Sequence, residues 1–196
     1  MRGDSSEYDA LEAFGNEGWN WDSLFPYFKR SEHFTDPTEA QAAVGASHDP
    51  QVHGYDGPLD ISFQFGLVNG TFYEKIQAGW ETLGYHVNPD VNSGDVRGFS
   101  VFPQTVDRDA NVREDAARAY WHPVEYRPNL SIIRGTVHKV TWANSLKDEK
   151  VVAEGLEYVN QDNETAIIKA SKEVILSAGS LRTPLILELS GVGNPR

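Results

Sequence analysis

Large apolar residues follow two different textures along the chain. Up to about residue 128 they recur at helical spacing between turn-rich stretches, and beyond it they group as strands do. Tyr8, Leu11 and Phe14 can share one helix face, with Gly15 as the stop signal, and residues 7–34 read as largely helical. The turn at residues 15–22 is rich in glycine and aromatics. Asp22 is the expected cap of the next helix, Pro26 an early break, and Leu24, Phe25 and Phe28 its apolar side. Trp19 and Trp21 read as packing anchors, since aromatics are mostly buried. Residues 35–52 are poor in large apolar side chains and carry Pro37, Gly45 and Pro50, which predicts a surface excursion or mobile lid. A turn at residues 53–59 leads into a strand near 59–63. Phe72, Ile76, Trp80 and Leu83 then predict a helix ended by Gly84. Residues 111–120 predict another, with Ala116, Ala117 and Ala119 on its packing face.

From Leu130 onward the pattern turns to strands. Residues 131–142 predict a strand pair or one strand bent at Gly135, and residues 151–160 and 165–176 supply two or three more around a turn at 161–163. Residues 172–176 form a short apolar run suited to a buried strand. Ala178 and Gly179 allow a close backbone approach, Ser180 is a candidate N-cap, and Pro184 is placed in the first turn of a helix bearing Leu185, Ile186 and Leu189. A strand that feeds a helix N-terminus through small residues can set backbone N–H groups against an anionic cofactor. The expected architecture is α/β to α+β, in two segments: a helical, loop-rich part at residues 1–128 and a β-rich part at 129–196.

Composition narrows the function. The 196 residues carry a net charge of −12, from 29 acidic and 17 basic side chains, which argues against nucleic acid and against anionic membrane surfaces. No apolar run is long enough to span a bilayer, and the first residues lack the apolar core of a signal peptide. The absence of cysteine excludes disulfides, thiol catalysis and Cys-ligated metals. Asn69, Asn129 and Asn163 each open an N-glycosylation triplet. His33, His48, His53, His86, His122 and His138 form no metal-ligand spacing, so no metal site is expected. Neither a GxSxG elbow nor a GxGxxG fingerprint is present. The Arg-Gly-Asp at residues 2–4 is too short to carry an adhesion reading.

The tail brings these positions into one pattern. Gly179-Ser180, Thr183-Pro184, Ile186-Leu187 and Ser190-Gly-Val-Gly193 resemble the second signature of the glucose–methanol–choline (GMC) FAD oxidoreductases. Other segments resemble that family in the same order. They are Met1-Arg2-Gly3 with Tyr8-Asp9, Gly15-Asn-Glu-Gly-Trp-Asn-Trp-Asp22, His53-Gly54 with Gly57-Pro58-Leu59, and Arg127-Pro-Asn-Leu130. Gly98-Phe-Ser-Val-Phe-Pro-Gln-Thr105 and Arg113-Glu-Asp-Ala-Ala-Arg118 are similar to the glucose oxidase and aryl-alcohol oxidase branches. Two positions depart: Glu114 stands where many members have serine, and Val52 precedes His53 where some glucose oxidases have a disulfide cysteine.

The resemblance implies part of a Rossmann-like FAD-binding domain with a helical insertion, without the N-terminal βαβ unit and the C-terminal half. It implies FAD as cofactor and a small-molecule sugar or primary alcohol as substrate, oxidised at CH–OH with hydride passing to the flavin. By the same resemblance, Val137 is the valine whose backbone meets the flavin adenine, and Ala178, Gly179 and Ser180 are the turn near the dinucleotide. No catalytic residue is assigned, because none of the six histidines stands in the matching motif. The parent is expected outside the cell, and these residues alone are expected to be inactive. The competing readings are a non-enzymatic carbohydrate-binding module, drawn from Trp19, Trp21, Tyr55, Trp80 and Trp121, and a degenerate fragment whose unpaired strands would aggregate.

Overall fold

Contacts along the chain divide it into two compact units, Met1–Pro128 and Asn129–Arg196. The computed structural model describes residues 2–64, 66, 71–144 and 150–194, with only the backbone at residues 71–73.

In the first unit, α1 (Ser5–Ala13) begins at Asp4. The Asp4 carboxylate accepts the Ser6 N–H at 3.1 Å, and the Glu7 carboxylate accepts the Asp4 N–H at 3.2 Å. This reciprocal capping gives the aspartate of the Arg-Gly-Asp triplet a structural role, and its other oxygen accepts the Val96 N–H at 3.5 Å. Helix α2 (Trp21–Ser31) is capped by Asn20, whose Oδ1 accepts the Ser23 N–H at 2.8 Å. The cap therefore lies two residues before the expected Asp22, which sits in the first turn, where its charge suits the helix dipole. Pro26 lies inside α2 and does not end it. Tyr8 packs against Trp21 and Phe28 at ring separations of 5.6 and 5.4 Å, and Trp21 stacks on Phe25 at 5.1 Å, joining α1 to α2. Trp21 is thus a packing anchor, whereas Trp19 is 57% exposed.

Two short strands, β1 (Glu32–Phe34) and β2 (Leu59–Ile61), pair in parallel with Phe34 opposite Ile61. They carry the core, made of Phe34, Ala46, Ile61, Phe63 and Val101, with Leu59 against it. The region expected to be a surface excursion contributes to this core. Ala46 is buried, α3 (Glu39–Ala43) forms within it, and buried Gln41 donates its Nε2 to the carbonyls of Phe63 and Gln64 at 2.9 and 3.0 Å. A methyl group and a carboxamide do this anchoring, and neither registers as hydrophobic bulk.

Helix α4 (Thr71–Thr82) is followed by Gly84 at φ 85°, as its spacing predicts. The helix expected at residues 111–120 begins late. Residues β3 (Val106–Asp107) and β4 (Val112–Arg113) make an antiparallel hairpin, with Asn111 in the left-handed region at φ 53°. Asp115 then accepts the N–H groups of Ala117 and Arg118 at 2.9 and 3.0 Å, which starts a π-helical turn at Ala117–Trp121. The departure at Glu114 has a partner: the buried carboxylate accepts Arg118 Nε at 2.9 Å.

The second unit is one antiparallel sheet with a helix. Strands β5 (Thr136–Trp142), β6 (Ala153–Val159) and β7 (Thr165–Lys169) lie in the order β5-β6-β7. The β6–β7 turn is set by Asn160, whose Oδ1 accepts the Asp162 and Glu164 N–H groups, both at 2.9 Å. Helix α5 (Gly179–Leu189) packs on β5. The run at residues 172–176 joins no ladder among the described residues, and Ile175 is 72% exposed. An apolar run becomes a strand only where another strand takes up its backbone groups.

Candidate cofactor-binding site

All four residues singled out for the dinucleotide lie in the second unit, on β5 and at the start of α5. Val137 is half-buried and stands opposite Tyr158. Which way its backbone points follows from the ladder. The Glu154 carbonyl accepts the Ala170 N–H at 2.7 Å, so it faces the β7 side, and alternation turns Leu156 and Tyr158 the same way. Val140, opposite Leu156, accordingly sends its N–H away from β6, to Ser190 Oγ at 2.8 Å. The register slips by one residue between Val137 and Lys139, which leaves His138 as a bulge and returns Val137 to an outward-facing position. The Val137 N–H and C=O therefore line the outer edge of β5, where a ligand can take them up.

Helix α5 begins differently from its expected form. Ala178 occupies the N-cap position without a side-chain cap, and Ser180 lies inside the first turn. Thr183 reaches back instead, its Oγ1 accepting the Ala178 N–H at 3.0 Å. Pro184 follows in the second turn. Gly179 sits at φ 87° with no atom within 4 Å of where a Cβ would be, so the turn is open as well as left-handed. The first N–H groups of a helix have no intrahelical acceptor, and here they face an exposed turn. No hydrogen bond joins Val137 to Ala178, Gly179 or Ser180 among the described residues; the two places are related only through the packing of α5 on β5.

Ser190 makes that packing specific. Its hydroxyl accepts from Val140, donates to the Ile186 carbonyl at 2.5 Å, and its own carbonyl accepts Trp142 Nε1 at 2.7 Å. Ser190→Ala is expected to lower stability by about 1–3 kcal/mol, since the N–H of buried Val140 loses its acceptor. Chemical denaturation of the variant against the parent checks this.

His33, His86, His122 and His138 are exposed, and His48 lies against Asp36 at 3.1 Å. His53 is fully buried in the first unit and carries the connection that sequence spacing does not reveal. Its Nδ1 meets Glu32 Oε2 at 3.0 Å and its Nε2 meets Asp90 Oδ2 at 2.8 Å. Arg2 Nη2 meets the other Glu32 oxygen at 2.8 Å. Burial works against the imidazolium, but the Asp90 and Glu32 carboxylates outweigh it and hold the His53 pKa above the ordinary value. Burial likewise works against the Asp90 carboxylate, and the His53 bond, with the N–H groups of Asp49 and Asn92, holds its pKa below the usual range.

The profile of the GMC oxidoreductases matches residues 1–196. The chain belongs to the GMC oxidoreductase family. It is 51% identical over 184 residues to the glucose oxidase-like protein fsoC of Humicola fuscoatra, covering 93% of this chain and 32% of that protein. It is 35% identical to a glucose oxidase of Penicillium chrysogenum, covering 98% of this chain and 32% of that one. A solved FAD-dependent oxidoreductase from Chaetomium thermophilum superposes over 98% of this chain and 32% of its own, with a TM-score of 0.85 and 33% identity. The chain thus spans about a third of the length of these relatives. This GMC family is FAD-dependent, and the mixed α/β architecture is that of part of its FAD-binding domain.

Proposed function

We propose that these residues form part of the flavin-binding region of an oxidoreductase that removes hydride from a CH–OH group of a sugar or primary alcohol. The observation that carries the reading is the family match along the whole chain. The residues present fit the cofactor on two counts: the β5 edge offers a free N–H and C=O at Val137, and α5 opens on a turn at Gly179 with room for an anion. Bound FAD would supply the hydride acceptor. The chain's own contribution is to hold it, with Val137 toward the adenine through its backbone and Ala178, Gly179 and Ser180 toward the dinucleotide through theirs.

A backbone contact makes a specific prediction. Val137→Ala keeps the N–H and C=O and is expected to leave FAD affinity within about twofold, whereas Val137→Pro removes the outward N–H without costing a ladder bond and weakens FAD about tenfold. Flavin fluorescence titration of the intact protein measures both. Equal losses in the two variants would show that the side chain, not the backbone, makes the contact.

The division of labour is also testable. Glucose oxidase and oxygen-dependent choline dehydrogenase are among the related proteins, and both names describe oxidation at a CH–OH carbon. The 196 residues alone are expected to turn over neither sugar nor alcohol, because no histidine here takes the general-base position. A stoichiometric flavin spectrum with alcohol-dependent turnover from these residues alone would overturn this. We place the parent outside the cell, supported by exposed Asn129 and Asn163 in turns; Asn69 lies outside the described residues. Of the aromatic residues behind the carbohydrate-binding alternative, Trp21 is packed between α1 and α2 and Trp80 closes edge-on against Tyr85 at 5.0 Å, whereas Trp19 is exposed.

A further inference from the structure

Four charged side chains are buried together in the first unit: Arg2, Glu32, His53 and Asp90. Neutral imidazole has one N–H and one lone pair, but both ring nitrogens of His53 face carboxylate oxygens, which only accept. Only the imidazolium satisfies both. With that proton the four charges sum to zero, and without it they leave one uncompensated negative charge in the interior, a costly state.

What the bridge holds is the segment at residues 2–5. Arg2 donates its backbone N–H to Asn92 Oδ1 at 3.0 Å, and its Nη1 to the carbonyls of Val52 and Asn92 at 2.7 and 3.0 Å. Ser5 N–H reaches the Gly94 carbonyl at 2.8 Å. Asp90 fixes that same turn by accepting the Asn92 N–H at 2.8 Å, and accepts the Asp49 N–H at 2.9 Å. Glu32, on the other side, takes the Arg2 guanidinium and the Gly54 N–H. Arg2 is thus gripped by two groups of residues, one fixed by Glu32 and one by Asp90, and His53 is the side chain that ties the two carboxylates together. The aromatic neighbours offer no alternative charge. Phe34 stacks on His53 at 3.8 Å, and Phe25 and Phe28 lie 5.3 and 5.8 Å from the Arg2 guanidinium.

We propose that His53 is a proton-operated latch on residues 2–5: doubly protonated it joins Glu32 to Asp90 and holds this segment, and on losing its proton it releases one carboxylate and loosens the segment. The other titratable groups facing it are His48, whose ring lies 6.1 Å away and whose Nε2 sits on Asp36, and Tyr55, edge-on to Phe34 at 6.1 Å. Asp49 approaches through its backbone only, and Lys29 turns its Nζ to the Gln51 carbonyl. None of these can replace the bridging donor.

Because the folded state raises the His53 pKa, the latch is closed at and below the ordinary imidazole range and opens as pH rises through the raised value. The test uses the intact protein labelled with nitrogen-15 at histidine. Both ring nitrogens of His53 are expected to carry protons at about pH 7, where an unperturbed histidine is mostly neutral. Hydrogen exchange is expected to show protection at Arg2 falling about tenfold relative to Gln104, whose N–H bonds Ser62 outside the network, between about pH 6 and pH 9. In His53→Gln that ratio should no longer change with pH. A single-proton tautomer at neutral pH, or a constant Arg2-to-Gln104 ratio in the parent protein, overturns the proposal. The ring measurement needs no variant, so it decides even if His53→Gln fails to fold.

Discussion

Glu32→Ala is expected to destabilise the first unit by about 3–5 kcal/mol, the scale of breaking a buried ion pair from one side. Glu32 is 7% exposed and faces three groups at once: it pairs with the Arg2 guanidinium at 2.8 Å, and it bonds His53 at 3.0 Å and the Gly54 N–H at 3.3 Å. After truncation the two cations respond differently. His53 can shed a proton and keep its bond to Asp90, so its share of the loss shrinks as pH rises. Arg2 cannot deprotonate in a protein, and its guanidinium stays charged, leaning on two aromatic rings and two carbonyls. The double variant Arg2→Met with Glu32→Met should therefore recover part of the loss, because it removes the stranded charge. Urea denaturation of both single variants and the double, combined in a cycle, measures the coupling. A Glu32→Ala cost under about 1 kcal/mol would show that water enters and screens the cluster.

The same network shows where sequence reading stops. Each partner looked ordinary in sequence: Arg2 within a short triplet, Glu32 at the end of a helix, His53 without a metal spacing, and Asp90 in a polar stretch. Separations of 21 and 37 residues from His53 to Glu32 and Asp90 follow no periodicity. Elements with strong local signals were legible. Gly15 follows α1, Gly84 follows α4, and the hairpin turn at residues 161–163 joins two strands, because left-handed glycine and alternation act within a few residues. Errors occurred where tertiary contacts decided the outcome. Ala46 and Gln41 anchor a segment with no bulk to advertise it, and the apolar run at 172–176 has the composition of a strand but no ladder.

Around the proposed cofactor turn, the motif could be read in sequence but the local arrangement of its residues could not. Gly179 could be singled out from the motif, and its φ of 87° agrees with glycine's conformational range. The exchange of capping roles between Ser180 and Thr183 could not be foreseen, because both are good hydroxyl acceptors and only the chain path chooses between them. The outward turn of Val137 depends on a one-residue register slip, which alternation patterns in sequence do not encode. Ser190, read as one letter of a motif, is what fastens α5 to β5.

Gly54→Ala is expected to be as damaging as the loss of Glu32, for a steric reason. A Cβ built on Gly54 would stand 1.7 Å from the Lys29 carbonyl oxygen and 2.6 Å from its carbon, and both belong to the α2 backbone. No rotamer change relieves a clash between two main chains, so the loop after His53 or the end of α2 must shift. A shift there pulls on the Phe34 N–H, which bonds the Gly54 carbonyl at 2.8 Å, and on the His53 bridge one residue away. Overpacking of this kind costs about 1–3 kcal/mol when the surroundings can yield, and more when they are themselves tied down, as here. Gly79→Ala is the matched control. Gly79 lies in α4 with nothing within 4 Å of its Cβ position, so alanine should stabilise by about 0.5–1 kcal/mol through helix propensity. Denaturation midpoints moving in opposite directions for the two substitutions would attribute the first to contact. A neutral Gly54→Ala would mean that the close approach of the loop to α2 is not required, and the spacing of His53-Gly54 and Gly57-Pro58-Leu59 would then need another cause.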